Sequence, residues 1–423
     1  MPAKIRVGFI CGKDTDFVEH PGWGPKYAKI GDLSFLKDFP DKWRVDLKSH
    51  EYLMDCEPGT QGQAHCDVAL AWYIAKKCKD IEIDVITPEE LNLKRLQAND
   101  MNFTLGYNGV NIMVENNESS AVKMNAFKKA VNLFPTWEIE DFILQKSKYM
   151  KACMDAGVPM APTIFAPKGS RSPTKLLKEI KSRGWKQFVL KQSESGFCLG
   201  FCKLSTEDCE KDPKLLADYF SNYAHCPEYI VQEAIDGFTR NWETRCFWFN
   251  GKFLYAIANM AGVSTKDGKE RIVTGKDIPK EFLENAKKVG RQAIKVMPAM
   301  KVPGGKSVKN ILLRTDIGCS DSQLHDKYTN WDPNKKTFFL NEIEPSSTTY
   351  FVRWLKFDCI PLYGKLYAAK AREIYKQMQA GRRKVAKKPA SSSKLMKVMK
   401  GKKLKAKSTK IFRRDAASQK AAK

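Results

Sequence analysis

No run of about 18 apolar residues occurs in the chain, so the sequence offers no candidate membrane-spanning helix. Its twelve cysteines contain no CxxC pair. The closest two, Cys198 and Cys202, lack the second pair that a structural zinc site needs. Reduced thiols are expected rather than a disulfide framework. The five histidines, His20, His50, His65, His225 and His325, form no cluster of the kind a metal centre or a Ser/His/Asp arrangement uses. No GxGxxG follows the first strand-like segment, which excludes a dinucleotide fingerprint there. The N-terminal MPAKIRVGFICG has too short an apolar stretch before Gly12 and Lys13 to read as a secretory signal, so a cytoplasmic location is expected.

What is present suits a globular protein of two or three domains: 423 residues, 43% apolar and 11% aromatic. The net charge of +25 is concentrated at one end. Residues 381–423 hold 17 Lys/Arg and one Asp, so they carry +16 and leave +9 for the first 380. The tail, with KKPASSSKLMKVMKGKKLKAK, lacks the branched and aromatic residues a core requires and is expected to be disordered. It reads as a solubilising appendage, as a nonspecific contact to nucleic acid or an acidic membrane surface, or as a nuclear-import signal. The last reading would extend the location to the nucleus.

Ile5 to Cys11 and Ile81 to Ile86 read as buried strands, with a helix near Cys66 to Cys78 between them. This strand, helix, strand order predicts a small parallel α/β domain to about residue 135. Asp14 to Gly62 reads as a long loop region. From Ile139 to Gly157 apolar residues recur at helical spacing, and Lys146 falls on the same stripe as Ile143 and Met150, which predicts one continuous helix. Further strands are expected at Thr163 to Phe165, Tyr229 to Ile235, Thr244 to Phe249 and Lys252 to Ala258, the last two joined by an Asn250-Gly251 hairpin turn. Helices are expected near Pro173 to Arg183, Pro213 to Tyr223 and Glu281 to Met297. Lys266 to Lys276 reads as a basic loop. After Pro345 a helical region is broken at Pro361, carries the stripe Tyr363, Tyr367, Ile374 and Met378, and ends at Gly381.

Two patterns carry chemistry. In FVLKQSESGFCLGF, Phe188 to Phe201, a lysine sits in an apolar strand, where an unpaired ammonium would cost several kcal/mol, so Lys191 requires an anion. The following Ser193, Ser195, Gly196 and Gly200 permit a loop whose amides turn toward phosphate. In the strands NILLRTDI and TFFLNEIE, alternation puts Arg314 and Asp316 on one face and Glu342 and Glu344 on one face. If these strands pair, three carboxylates converge. Oxygen ligands of that kind suit Mg²⁺, which binds through one or two carboxylates plus substrate phosphates.

In this order, these motifs and the strand that ends in QEAI-Asp-Gly resemble the ATP-grasp superfamily over about residues 135 to 360. The preceding α/β domain resembles the pre-ATP-grasp domain of D-alanyl-D-alanine ligase, biotin carboxylase and glutathione synthetase. The resemblance implies an α/β chain, α+β in its ATP-grasp part. Residues 1–135 would be the N-terminal domain, and 136–380 two subdomains clamping ATP, divided near 237. Residues 381–423 would be the tail. Lys146 and Lys191 match the phosphate lysines, and Ser195 and Gly196 match the flexible phosphate loop, with Phe197 where many relatives have a small residue. Gln232, Glu233 and Ile235 match the adenine hinge, and Asp236 or Glu243 would serve the ribose. Asp316, Glu342 and Glu344 match the Mg²⁺ ligands, the last commonly Asn, and Arg314 matches a residue that steadies the charged intermediate.

The implied activity is an ADP-forming ligation of a small-molecule or peptide carboxylate to an amine, or less often a thiol, through an acyl phosphate. Acceptor specificity is expected from the N-terminal domain and the Lys266 to Lys276 loop. A kinase acting on an anionic small molecule such as an inositol phosphate is the alternative within the fold. A nucleic-acid-tethered binding protein with a vestigial ATP site is the alternative of another class. Homo-oligomerisation is compatible with all three readings.

Overall fold

The computed structural model describes residues 4–12, 38–45, 53–55, 63–115, 117–170, 172–196, 199–235, 237–238, 241–260, 272–320, 337–345 and 359–386. Asp236, Phe197, residues 266–271 of the basic loop and the tail beyond residue 386 lie outside them. By internal contacts the chain divides into Met1–Gly381 and Arg382–Lys423, and the fold described belongs to the first unit.

The N-terminal part begins with β1 (Ile5–Ile10), then β2 (Arg44–Val45), β3 (Leu53–Asp55), β4 (Gln63–His65), α1 (Cys66–Lys77) and β5 (Ile81–Ile86). It continues through α2 (Leu93–Gln97), β6 (Met101–Thr104), α3 (Gly109–Glu115), α4 (Glu118–Lys129) and β7 (Leu133–Phe134). β1 is buried at every position but Arg6, as a central parallel strand covered on both faces must be. It pairs in parallel with β5 on one side and β6 on the other, giving the order β5-β1-β6-β7. The crossover from β5 back past β1 to β6 makes the carboxyl ends of β1 and β6 a switch point. Within the stretch expected to be all loop, β2 and β3 pair with β4 in a three-stranded sheet. These strands are too short to show an alternating pattern.

One expected helix is two, α5 (Trp137–Leu144) and α6 (Lys146–Asp155). Between them Gln145 leaves the helical region at φ −84°, ψ 82° and forms a bridge with Glu194. Lys146 therefore opens α6 instead of continuing the stripe of α5. Next come β8 (Thr163–Pro167), α7 (Pro173–Ser182), β9 (Gln187–Gln192), β10 (Cys202–Ser205), α8 (Thr206–Lys211), α9 (Lys214–Asn222) and β11 (Glu228–Glu233). Their antiparallel sheet has the order β10-β9-β11-β8, and α8 is a helix that the sequence reading did not contain.

The last sheet is built from β12 (Trp242–Phe249), β13 (Lys252–Met260), β14 (Ile272–Thr274), β15 (Leu312–Ser320) and β16 (Thr337–Pro345), in the order β14-β13-β12-β15-β16. The β12–β13 turn has Asn250 at φ 54° and Gly251 at φ 72°, the left-handed pair that a two-residue hairpin requires. α10 (Lys280–Val296) packs on this sheet. α11 (Cys359–Ala386) runs unbroken: Pro361 lies in its first turn, where a missing N–H costs no helical bond, and Gly381 does not end it. Its buried Tyr367 meets the rings of Phe9 and Phe103 from the parallel sheet and of Phe249 from the antiparallel one, and Tyr363 shares a 2.6 Å hydroxyl contact with Tyr255. The helix thereby fixes one sheet against the other.

Candidate functional site

β15 and β16 pair antiparallel with Arg314 opposite Glu344 and Asp316 opposite Glu342. β12 lies on the other side of β15 with Arg245 opposite Asp316. Side chains two apart share a face, so Glu243, Arg245, Arg314, Asp316, Glu342 and Glu344 lie together. After Asp316 the register shifts, and Ile317 faces Leu340. The bulge leaves Asn341 without an opposite residue, and its Nδ2 donates to Glu243 Oε1 at 2.9 Å.

Each acid on this face has a distinct environment. Arg314 grips Asp316 with two parallel bonds, Nε to Oδ1 at 2.7 Å and Nη2 to Oδ2 at 2.8 Å. Arg245 Nη2 donates to Glu243 Oε2 at 3.2 Å, while its Nε lies 3.8 Å from Asp316 Oδ2. Burial raises the Glu243 carboxyl against the pull of Arg245. Glu342 receives the Lys146 ammonium. Burial alone would raise Glu342, but Lys146 and Lys191 outweigh it and hold the group at about 2. Glu344 moves the other way, to about 7, through burial and the adjacent Glu342 charge, with Arg314 opposing.

The lysines reach this face from two other places. Lys146 stands at the first turn of α6, and its amide donates to Ser193 O at 2.8 Å, beside the Gln145–Glu194 bridge. Three residues on, buried Tyr149 lies beneath the acids. Burial raises its hydroxyl strongly, Glu342 and Glu344 add to this, and a bond with the Ile343 backbone opposes it. The chain after α6 continues onto β16 through Leu340 N to Pro159 O, 2.8 Å. Lys191 lies on β9 with its charge acting on Glu342.

The remaining expected residues are less closely gathered. Ser195 Oγ donates to Gln192 O at 3.2 Å, and Gly196 follows it. Gln232 is buried and turns its amide into the sheet, donating to Thr163 Oγ1 at 3.0 Å. Glu233 closes β11, and Ile235 lies just past its end. Among the described residues no three His, Cys, Asp or Glu side chains are arranged to hold a metal ion as they stand. Arg314 occupies both oxygens of Asp316, and Lys146 occupies Glu342.

The donor set nonetheless fits a hard divalent cation. All three side chains offer only oxygen, and Glu344 is a half-buried carboxyl raised to about 7 by burial and the adjacent Glu342 charge, an environment that a bound cation would relieve. Two participants were missed in the sequence. Arg245 alternates with Glu243 in WETR, but the strand was read as beginning at Thr244. Asn341 is aimed by a bulge that only pairing reveals.

No family model matches the sequence, and no curated protein matches it. Solved structures do. D-cycloserine synthetase DcsG aligns with a TM-score of 0.53 at 12% identity, over 86% of this chain and 99% of that one. D-alanyl-alanine synthetase A from Vibrio cholerae aligns with a TM-score of 0.50 at 12% identity, over 88% and 99%. The D-alanine-D-alanine ligase from Coxiella burnetii aligns with a TM-score of 0.50 at 12% identity, over 90% and 99%. Such low identity speaks to architecture and not to reaction: the chain shares the fold of these three proteins.

Proposed function

We propose that the protein is an ATP-dependent ligase that joins a carboxylate to an amine through an acyl phosphate. The observation that carries this reading is the meeting of Lys146 and Lys191 with Asp316, Glu342, Glu344 and Arg314 on one sheet face. A site with this many paired charges suits phosphoryl transfer between bound partners, where the protein's work is positioning and charge cancellation. The three structural relatives are named as synthetases or ligases, which favours ligation over phosphorylation of a hydroxyl.

In this mechanism Lys146 and Lys191 hold the phosphate oxygens of ATP, and the 193–196 segment covers them. Asp316, Glu342 and Glu344 are the oxygen donors that would hold Mg²⁺, which supplies charge neutralisation at the phosphates when bound. A substrate carboxylate takes the terminal phosphoryl group and ADP leaves. The amine then displaces phosphate. Arg314, released from Asp316 on the same face, offsets the negative charge that develops on the acyl oxygen. Gln232, Glu233 and Ile235 are assigned to the adenine, and Glu243 to the ribose.

The test is ADP release by the full-length protein across paired panels of carboxylates and amines, with product masses measured. Turnover should require both substrates, and the terminal phosphate of ATP should appear as free phosphate. Lys191→Ala and Glu342→Gln should each abolish it. ADP release indifferent to both changes, or phosphate retained on the product, would refute the proposal.

A further inference from the structure

The segment after β9 is held from two sides. On one side, the Gln145–Glu194 bridge and the bond from Lys146 N to Ser193 O pin its base to the junction of α5 and α6. On the other side lies α3. A Cβ built on Gly196 would fall 2.2 Å from Val110 Cγ1, with Val110 Cβ at 3.7 Å and Val114 Cγ2 at 3.9 Å. Gly196 is not among the positive-φ glycines, so its backbone does not demand glycine. The demand comes from space. Val110 is β-branched within a helix and has essentially one side-chain rotamer, so it cannot swing aside cheaply.

α3 is itself fixed from below. Gly109 N donates to Glu140 at 3.4 Å, and Thr104 Oγ1 donates to the other carboxylate oxygen at 3.3 Å. Thr104 ends β6, so α3 starts directly beyond the switch point of the parallel sheet.

We infer that Val110 and Gly196 form an interlock through which α3 holds residues 193–196, the first part of the phosphate-type loop, in place. Val110, which belongs to the N-terminal part, is thus a positioning residue for a site it does not line. The consequence rests on the proposed ATP reading only where nucleotide affinity is measured. Any ligand that shifts α3 at the carboxyl ends of β1 and β6 would shift the loop with it.

The test uses Gly196→Ala, Val110→Ala and the double variant in the full chain. Two readouts are needed: amide hydrogen exchange of residues 193–196 without nucleotide, and the affinity for a nonhydrolysable Mg²⁺-ATP analogue. Gly196→Ala should speed exchange and weaken analogue binding by about tenfold or more, as an overpacked contact does. Val110→Ala removes the clashing Cγ1 and leaves its Cβ at an ordinary 3.7 Å, so the double variant should recover most of both losses. A double variant as impaired in exchange as Gly196→Ala would overturn the interlock. Recovery of exchange in a protein that binds no analogue would support the interlock and overturn the ligase reading instead.

Discussion

Replacing Glu344 with Gln tests how far burial and the adjacent Glu342 charge disfavour this carboxylate. The Glu344 carboxyl is raised from 4.5 to about 7, by burial first and by Glu342 second, against the opposing pull of Arg314 and Lys146. A carboxyl whose folded value is raised costs nothing below its unfolded value, because both states are then protonated. Its cost to stability grows as pH climbs through the interval and is complete above about 7. At about 1.4 kcal/mol per pH unit the full effect is about 3 kcal/mol, and solvent reaching this half-buried group lowers it to about 1–2 kcal/mol. The Gln variant should therefore unfold at higher urea than the parent at pH 8, and the gap should close on lowering the pH toward 5. Millimolar Mg²⁺ supplied with a nonhydrolysable ATP analogue should narrow the gap at pH 8 by stabilising the parent more than the variant. A gap independent of pH would refute the charge argument, and one that Mg²⁺ with the analogue leaves unchanged would remove Glu344 from the ligand set.

Three further outcomes follow from the same structure. Glu140→Gln should stabilise the protein at pH 8 by about 1–2 kcal/mol and not at pH 5, because burial raises Glu140 to about 7 and only Gly109 N and Thr104 Oγ1 oppose this; urea unfolding at the two pH values decides it. Asn250→Ala should cost about 2–3 kcal/mol in the same assay. It places an ordinary residue at φ 54° and takes from buried Lys370 the Oδ1 it donates to at 2.8 Å. ATP should bind at least about tenfold more weakly in EDTA than with Mg²⁺, and equal affinities by calorimetry would contradict the exchange of partners proposed for the acids and lysines.

The parts legible in the sequence are those whose pattern is local. Ile81–Ile86 and the Asn250-Gly251 hairpin depend on runs and turn chemistry that a few residues carry, and the structure places both as read. The convergence of Asp316, Glu342 and Glu344 on one face was conditional on one assumption, that two strands adjoin, and they do. Where the determinant is distant, the reading failed. Gln145 breaks its helix because Glu194 offers a backbone partner, and nothing near Gln145 announces it. Pro361 looked like a breaker because its position relative to the helix start was not visible, and in the first turn the same residue is harmless. Asn341 acquires its aim from a one-residue register shift against β15, a property of two strands and not of one.

The charge pattern of the site also explains why its acids are not arranged as a ready metal cage. Four carboxylates, Glu243, Asp316, Glu342 and Glu344, share a face with Arg245 and Arg314 and are approached by Lys146 and Lys191, so charges of the two signs balance. A buried lysine without an anion is as costly as a buried carboxylate without a cation, and removing either partner of such a pair costs several kcal/mol. The resting site meets both demands internally. If a polyphosphate arrived alone, Lys146 would turn to it and leave the half-buried Glu342 without that cation. If a divalent cation arrived alone, it would displace Lys146 and strand that ammonium. Arriving together, the two would exchange partner for partner, lysines passing to phosphate oxygens and carboxylates to the metal, so that each charge would keep a partner. Under the proposed function, obligate pairing of metal with nucleotide would follow from the resting ion pairs, with Lys146 and Glu342 as the pair that enforces it.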